Sequence, residues 1–190
     1  MTERTVPAPR TQWTEPTERA EPSRETGPTL YVAVVGAARA PAPERELAEA
    51  VGRGLAEAGA VVVCGGLGGA MEAACRGARR AGGLTVGILP GTERSEANPF
   101  VDVVLPTGIG EARNALVVRA ADCVVAVGGE FGTLSEVALA LATGVPVVGL
   151  GTWELARGGE QVNAVVRASA PENAVTLAIE LARARRPGVS

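Results

Sequence analysis

CVVAVGGEFGTLSEVALALA, residues 123–142, decides the architecture of this 190-residue chain. Its first five residues are uniformly apolar, as in a strand covered on both faces. Gly128, Gly129 and Gly132 break the run, and residues 133–143 then read as a helix. Glycine lets a backbone approach a ligand closely, and a helix start behind it presents unpaired N–H groups and partial positive charge to an anion. VVVCGGLGGAMEAACRGA, residues 61–78, repeats the plan with Gly65, Gly66 and Gly68. No GK[ST] follows either turn, and neither is a strict GxGxxG, so each alone is as readily a packing device as a ligand site. Two such turns in one small domain favour phosphate binding.

Outward from these turns the pattern alternates. Strands are expected at residues 30–35 (ending at Gly36), 60–64, 85–89, 101–105, 123–127, 145–150 and 164–168. Helices are expected at 41–59, 69–81, 110–120, 133–143 and 171–185, the last opened by a capping box, Ser169-x-x-Glu172. Alternation of this kind predicts one three-layer α/β domain, a parallel sheet flanked by helices, over residues 29–190. Ligands of such sheets lie beyond the carboxyl ends of the strands, where Gly36 and both glycine turns fall. The helix at 134–143 is apolar nearly all round, which predicts a homodimer that covers it. Residues 1–28 carry five prolines, nine charges and Trp13 as the only aromatic, a composition that predicts a disordered tail.

Composition removes whole classes of chemistry. The chain has no histidine, which excludes Ser-His triads and His-ligated metals, and no metal site is expected. All 18 basic residues are arginine, so a Schiff-base lysine and a phosphate-loop lysine are absent too, and the chain is not a pyridoxal-phosphate decarboxylase. A net charge of −3 gives no general attraction to nucleic acid or anionic lipid, and neither is expected as a partner. The arginines at 76, 79, 80, 183, 185 and 186 read as solvated helix faces. Without a run of about 18 apolar residues no membrane span is expected. Cys64, Cys75 and Cys123 lack CxxC spacing and sit in apolar contexts, as small buried hydrophobes do. An odd cysteine count with no secretory leader predicts a reducing, cytoplasmic setting.

Carboxylate and arginine are left to carry chemistry. Thr133-x-x-Glu136 has the spacing of a capping box, which would send Glu136 back to its own helix. Alternatively, that carboxylate faces a bound sugar and stabilises positive charge at its anomeric carbon. Arg113 stands near a helix start, where the dipole disfavours a cation, and Asn114 beside it is a poor helix former. Pairing with Glu111 is one explanation; gripping a ligand phosphate or orienting Glu136 is the other. Glu72 suits its helix dipole, Arg39 reads as an exposed loop cation, and Thr107 either caps a helix or faces the cleft.

Four segments in order, CGGLGGAMEAACRGA, GILPG, TGIGEARN and GGEFGTLSE, give residues 30–185 a specific likeness. The chain resembles the Rossmann-like group that includes molybdenum-cofactor carrier proteins and the Lonely Guy cytokinin-activating phosphoribohydrolases, with wording closer to the carriers. The resemblance implies a homodimer and a phosphorylated small-molecule ligand, either a nucleoside 5′-monophosphate or molybdopterin, with no required cofactor. It places the enzymes' arginine and glutamate on Arg113 and Glu136. Where those enzymes read PGGxGT, this chain has Gly128 for the proline and Glu130 for the second glycine, and Gly36-Ala37-Ala38 replaces a serine-bearing turn.

Two functions remain open at this point. One is hydrolysis of the N-glycosidic bond of a nucleoside 5′-monophosphate, with Arg113 and Glu136 catalytic and the Gly132 and Thr133 backbone on the phosphate. The other is a carrier or sensor that binds without turnover.

Overall fold

The computed structural model describes residues 29–186; the expected tail at 1–28 lies outside them. The described residues hold nine strands: β1 (Tyr31–Gly36), β2 (Val61–Cys64), β3 (Thr85–Leu89), β4 (Val103–Pro106), β5 (Cys123–Val127), β6 (Val147–Leu150), β7 (Leu155–Arg157), β8 (Glu160–Val162) and β9 (Val166–Ala168). The helices are α1 (Ala42–Glu57), α2 (Ala70–Arg80), α3 (Asn114–Arg119), α4 (Phe131–Ala142) and α5 (Pro171–Arg185). Seven strands form one sheet in the order β4-β3-β2-β1-β5-β6-β9, parallel at every pairing. The α/β expectation is met, as a Rossmann-like sheet with helices on both faces.

Strand alternation divides the core in two. Val32, Val34, Val62, Val125 and Val127 point toward α1, α2 and α5, where Val51, Leu55, Ala74 and Ala178 meet them. Ala33, Val35, Val63, Val124 and Ala126 point the other way, onto Val117, Val118, Val137 and Ala140 of α3 and α4. Each valine fully removed from water contributes about 1.5–3 kcal/mol. Small residues set the helix spacing: a Cβ added to Gly52 of α1 would strike the Ala74 carbonyl, and one on Gly77 of α2 the Glu49 carbonyl. The order of strands reverses at β1, which is flanked by β2 and β5, and a crevice opens there at the carboxyl ends.

Local structure departs from the sequence reading at several points. The helix expected at 110–120 is a 3-10 turn, Gly110–Arg113, followed by the short α3. α4 begins two residues early at Phe131, so Thr133 is its third residue and Glu130 its cap; no side-chain capping bond forms, and the Thr133–Glu136 box does not exist. Ser169-x-x-Glu172 is not a box either: Ala170 caps α5, and Asn173 Oδ1 accepts the Ser169 N–H at 3.2 Å in place of Glu172. The antiparallel hairpin β7–β8, with Gly158 and Gly159 at its turn, was not anticipated.

Most of the arginines read as solvated are paired. Arg76 donates to Glu49 at 2.7 Å and Arg79 to Asp102 at 2.7 Å, while Arg80 also meets Glu49. Arg185 donates to the Ala121 carbonyl at 2.8 Å. At the amino end of the sheet the buried Asp122 carboxylate accepts the Tyr31 N–H at 2.8 Å and pairs with Arg186 Nε at 2.5 Å. Arg186 donates in turn to the Thr29 carbonyl at 3.2 Å. No helix among the described residues is long and apolar enough to cross a membrane.

Candidate functional site

The crevice at the strand reversal is a cleft of about 170 Å³. Gly36, Ala37 and Ala38 after β1 form one wall, Glu130, Gly132, Thr133 and Glu136 of the second glycine turn and α4 the opposite one, and Glu111, Arg113 and Asn114 the floor. Gly36 and Glu136, 100 positions apart in sequence, thus face one cleft because β1 and β5 are neighbours.

Arg113 and Asn114 are each 5% exposed and Glu136 6%. The guanidinium lies against Gly65, where any Cβ would displace it. Arg113 Nη1 stands 3.7 Å from Glu136 Oε1, an ion pair too long to be a hydrogen bond. Pairing with Glu111, one of the alternatives, does not form among the described residues. Arg113 Nε and Nη1 and Asn114 Oδ1 are buried with no hydrogen-bond partner among the described residues. Burial of unpaired polar atoms costs about 1–3 kcal/mol each, so three converging on one cleft mark it as built for something polar. Burial also pushes the Glu136 carboxyl up to about 7; Arg113 pulls the other way, and Glu111 adds to the rise.

The two glycine turns differ in what they leave free. In α4 the first backbone bond runs from Leu134 N–H to the Glu130 carbonyl, which leaves the N–H groups of Phe131, Gly132 and Thr133 without intrahelical acceptors. A Cβ on Gly132 would meet nothing within 4 Å, so this wall is open to an anion. Glu130, exposed, brings a carboxylate to the rim. Gly128 (φ 53°) and Gly129 (φ 104°) shape the turn from behind and line a separate shallow depression with Glu44, Gly151, Thr152 and Trp153. Glu44 occupies the space that a Cβ on Gly128 would need.

The first turn is spent on the protein itself. The Gly66 N–H donates to Cys64 Sγ at 3.2 Å, its carbonyl accepts from Asn98, and the first N–H of α2, at Ala70, donates to the Ala37 carbonyl at 3.1 Å. Gly65 and Gly66 are buried behind the cleft, and the turn presents Leu67 to it, joined by Met71. Gly68 packs beside the Ala38 carbonyl. Thr107 neither caps nor faces the cleft; its hydroxyl donates to the Leu89 carbonyl at 2.7 Å. Glu72 sits 4.0 Å from Arg76, and Arg39 is exposed. Sequence reading passed over Leu67 and Met71, although a lone leucine inside GGLGG was a signal, being the one side chain such a turn can present.

The SLOG cluster4 family model matches residues 29–175. An uncharacterised protein of Archaeoglobus fulgidus is 41% identical over 121 residues, covering 64% of this chain and 80% of that one. The molybdenum cofactor binding protein of Rippkaea orientalis superposes with a TM-score of 0.72 at 37% identity, covering 83% of this chain and 99% of the other. The molybdenum cofactor carrier protein of Chlamydomonas reinhardtii gives a TM-score of 0.72 at 33% identity, covering 81% and 98%. DNA processing protein A of Helicobacter pylori, at 20% identity and a TM-score of 0.61, shares the fold alone. With a matching model that spans most of its length and the cleft at the strand reversal, the chain belongs to the SLOG cluster4 family.

Proposed function

We propose that this protein binds and carries a phosphorylated heterocycle, of the pterin or nucleotide class, in the cleft between β1 and β5. The observation that carries the reading is the set of unpartnered buried atoms, Arg113 Nε and Nη1 and Asn114 Oδ1, beside three free N–H groups of α4. A phosphate accepts from the helix N-terminus, the guanidinium adds charge-assisted donors, and Asn114 Oδ1 accepts from an N–H or O–H of the ligand. The likeness to molybdenum cofactor binding and carrier proteins supports a pterin as cargo. For such cargo the residues that would hold it are Arg113, Asn114, Gly132 and Thr133.

Hydrolysis of a nucleoside 5′-monophosphate is the second reading, favoured by the Glu136 carboxyl buried beside Arg113. A cationic sugar in the cleft would draw that carboxyl into its charged form, which is the stabilisation the reaction needs. Against it stand the Glu130 carboxylate at the phosphate wall and the hydroxyl-free turn Gly36-Ala37-Ala38. The same reading includes a homodimer that covers the outer face of α4, where Phe131 is 78% exposed.

The test is to denature purified protein, identify released small molecules by mass spectrometry, and assay turnover over a panel of nucleoside monophosphates. A released pterin with no turnover supports carriage. Ribose 5-phosphate formation that falls about 100-fold in Glu136→Gln supports hydrolysis. Neither a bound molecule nor turnover would sink both.

A further inference from the structure

Beneath the cleft floor lies a feature that ligand binding does not use. Cys64, the last residue of β2, and Cys75, midway along α2, place their sulfurs 3.4 Å apart, and both are 0% exposed. The third cysteine, Cys123, is buried elsewhere, in the core between the sheet and α5. Two thiols this close need only about 1.4 Å of approach to reach a disulfide bond length near 2.04 Å.

The surroundings divide the labour between the sulfurs. The Cys75 thiol favours the Cys64 thiolate, burial opposes it, and the Gly66 N–H, which donates to Cys64 Sγ at 3.2 Å, and the Arg113 guanidinium favour it further. The adjoining Cys64 sulfur and burial push the Cys75 thiol up. The N–H bond from Gly66 singles out Cys64 as the attacking sulfur, with Cys75, 3.4 Å away, placed to resolve.

Access runs through the cleft. Leu67 and Met71 line the cleft on one side and pack on Cys64 and Cys75 on the other, so a single layer of flexible side chains separates the sulfurs from solvent. Behind Cys64 comes Gly65, the residue on which Arg113 rests. Any shift of β2's end on bond formation is passed to the guanidinium directly.

We propose that Cys64 and Cys75 are a reversible redox modification site, which a small hydroperoxide closes to an intramolecular disulfide under the cleft floor. In the first step the Cys64 sulfur attacks one peroxide oxygen, the O–O bond breaks, and a sulfenic acid forms with release of water. In the second the Cys75 sulfur attacks the sulfenic sulfur, the S–O bond breaks, and the hydroxyl leaves as water with the Cys75 proton. Two thiols lose two electrons and two protons, and one hydrogen peroxide becomes two waters.

The experiment uses the folded full-length protein. Treat it with graded hydrogen peroxide, quench, alkylate free thiols in denaturant, and digest with trypsin. Cleavage after Arg53 and Arg76 leaves both cysteines in the single peptide 54–76, whereas Cys123 falls in a different one. The expected product is peptide 54–76 unalkylated and lighter by two hydrogens, with Cys123 fully alkylated, and dithiothreitol before alkylation restores two alkylation sites. Cys75→Ala should instead leave Cys64 as an over-oxidised acid. Full alkylation of both thiols in the folded protein after peroxide would overturn the proposal, as would pairing of either with Cys123. Because the unmutated protein gives the decisive product, a variant that fails to fold does not blunt the test.

Discussion

The two glycine turns look alike in sequence and do opposite work. After β2, the turn around Gly65 and Gly66 spends its donors and acceptors internally, on Cys64 Sγ, Asn98 and the Ala37 carbonyl. After β5, the turn around Gly129 and Gly132 leaves three helix-opening N–H groups free at an open wall. Glycine content therefore reports close approach, and what approaches differs: at Gly65 it is the protein's own Arg113, at Gly132 it is empty space. One turn builds the floor that holds the arginine, and the other opens onto the cleft.

Breaking the first turn should have the largest effect. Gly65→Val sets a branched side chain where the Arg113 guanidinium lies, in a fully buried setting. A loss of about 3 kcal/mol or more in stability is expected from overpacking, together with loss of ligand binding. Chemical denaturation checks it, and wild-type stability would mean that the two turns are equally open.

The second turn carries a different burden, the half-paired Glu136 on its helix. Its carboxyl is raised from 4.5 to about 7 by burial, so the native state holds a proton that the unfolded chain has released. Its contribution, on the order of 3 kcal/mol, is fully present below about pH 4.5 and is lost as pH rises through 7. Wild-type protein should lose stability across that window relative to Glu136→Gln, which lacks the titration. Parallel pH profiles of the two proteins would break the argument.

Gly132→Val sharpens the comparison from the other side. Nothing stands near its Cβ position, so the melting temperature should hold within a few degrees. Affinity for a nucleoside monophosphate or the native cargo should fall by about 10-fold or more as the anion's approach is filled. The smallest effect is expected at Glu130→Gln, which removes a rim carboxylate beside that approach; affinity should rise by about two- to threefold and the gain should fade in high salt.

Period and punctuation make the parallel sheet legible in the sequence. Uniform apolar runs at Val61–Cys64 and Cys123–Val127, each closed by a glycine turn, read as doubly covered strands, and both are buried along their whole length. Arg113 and Glu136 were legible as oddities, a cation at a helix start and a carboxylate after a glycine turn. Arg113 orienting Glu136 was one of the readings left open, and the pair at 3.7 Å agrees with it; the support of the guanidinium by Gly65 was not legible, because it brings together residues 48 positions apart that no local pattern links. The capping boxes failed for a related reason. Thr133 and Ser169 have the right spacing, but the helices begin at Phe131 and Pro171, where tertiary packing rather than local hydrogen bonding sets the first turn. Nor could spacing separate the two glycine turns, whose difference lies in which neighbour takes the donor.

Asp122 joins three pieces of chain that enter the sheet from different directions: the start of β1, the strand β5 that it precedes, and Arg186 after α5. With Arg186 also bonded to the Thr29 carbonyl, residues 29 and 186 are held together at the sheet's amino edge, the pole opposite the cleft. For protein engineering this is a natural splice point. A short linker from 186 back to 29, with new ends cut in the exposed Gly158–Gly159 turn, should yield a circular permutant that keeps the cleft, and a fusion partner attached at either residue would leave the cleft mouth unobstructed.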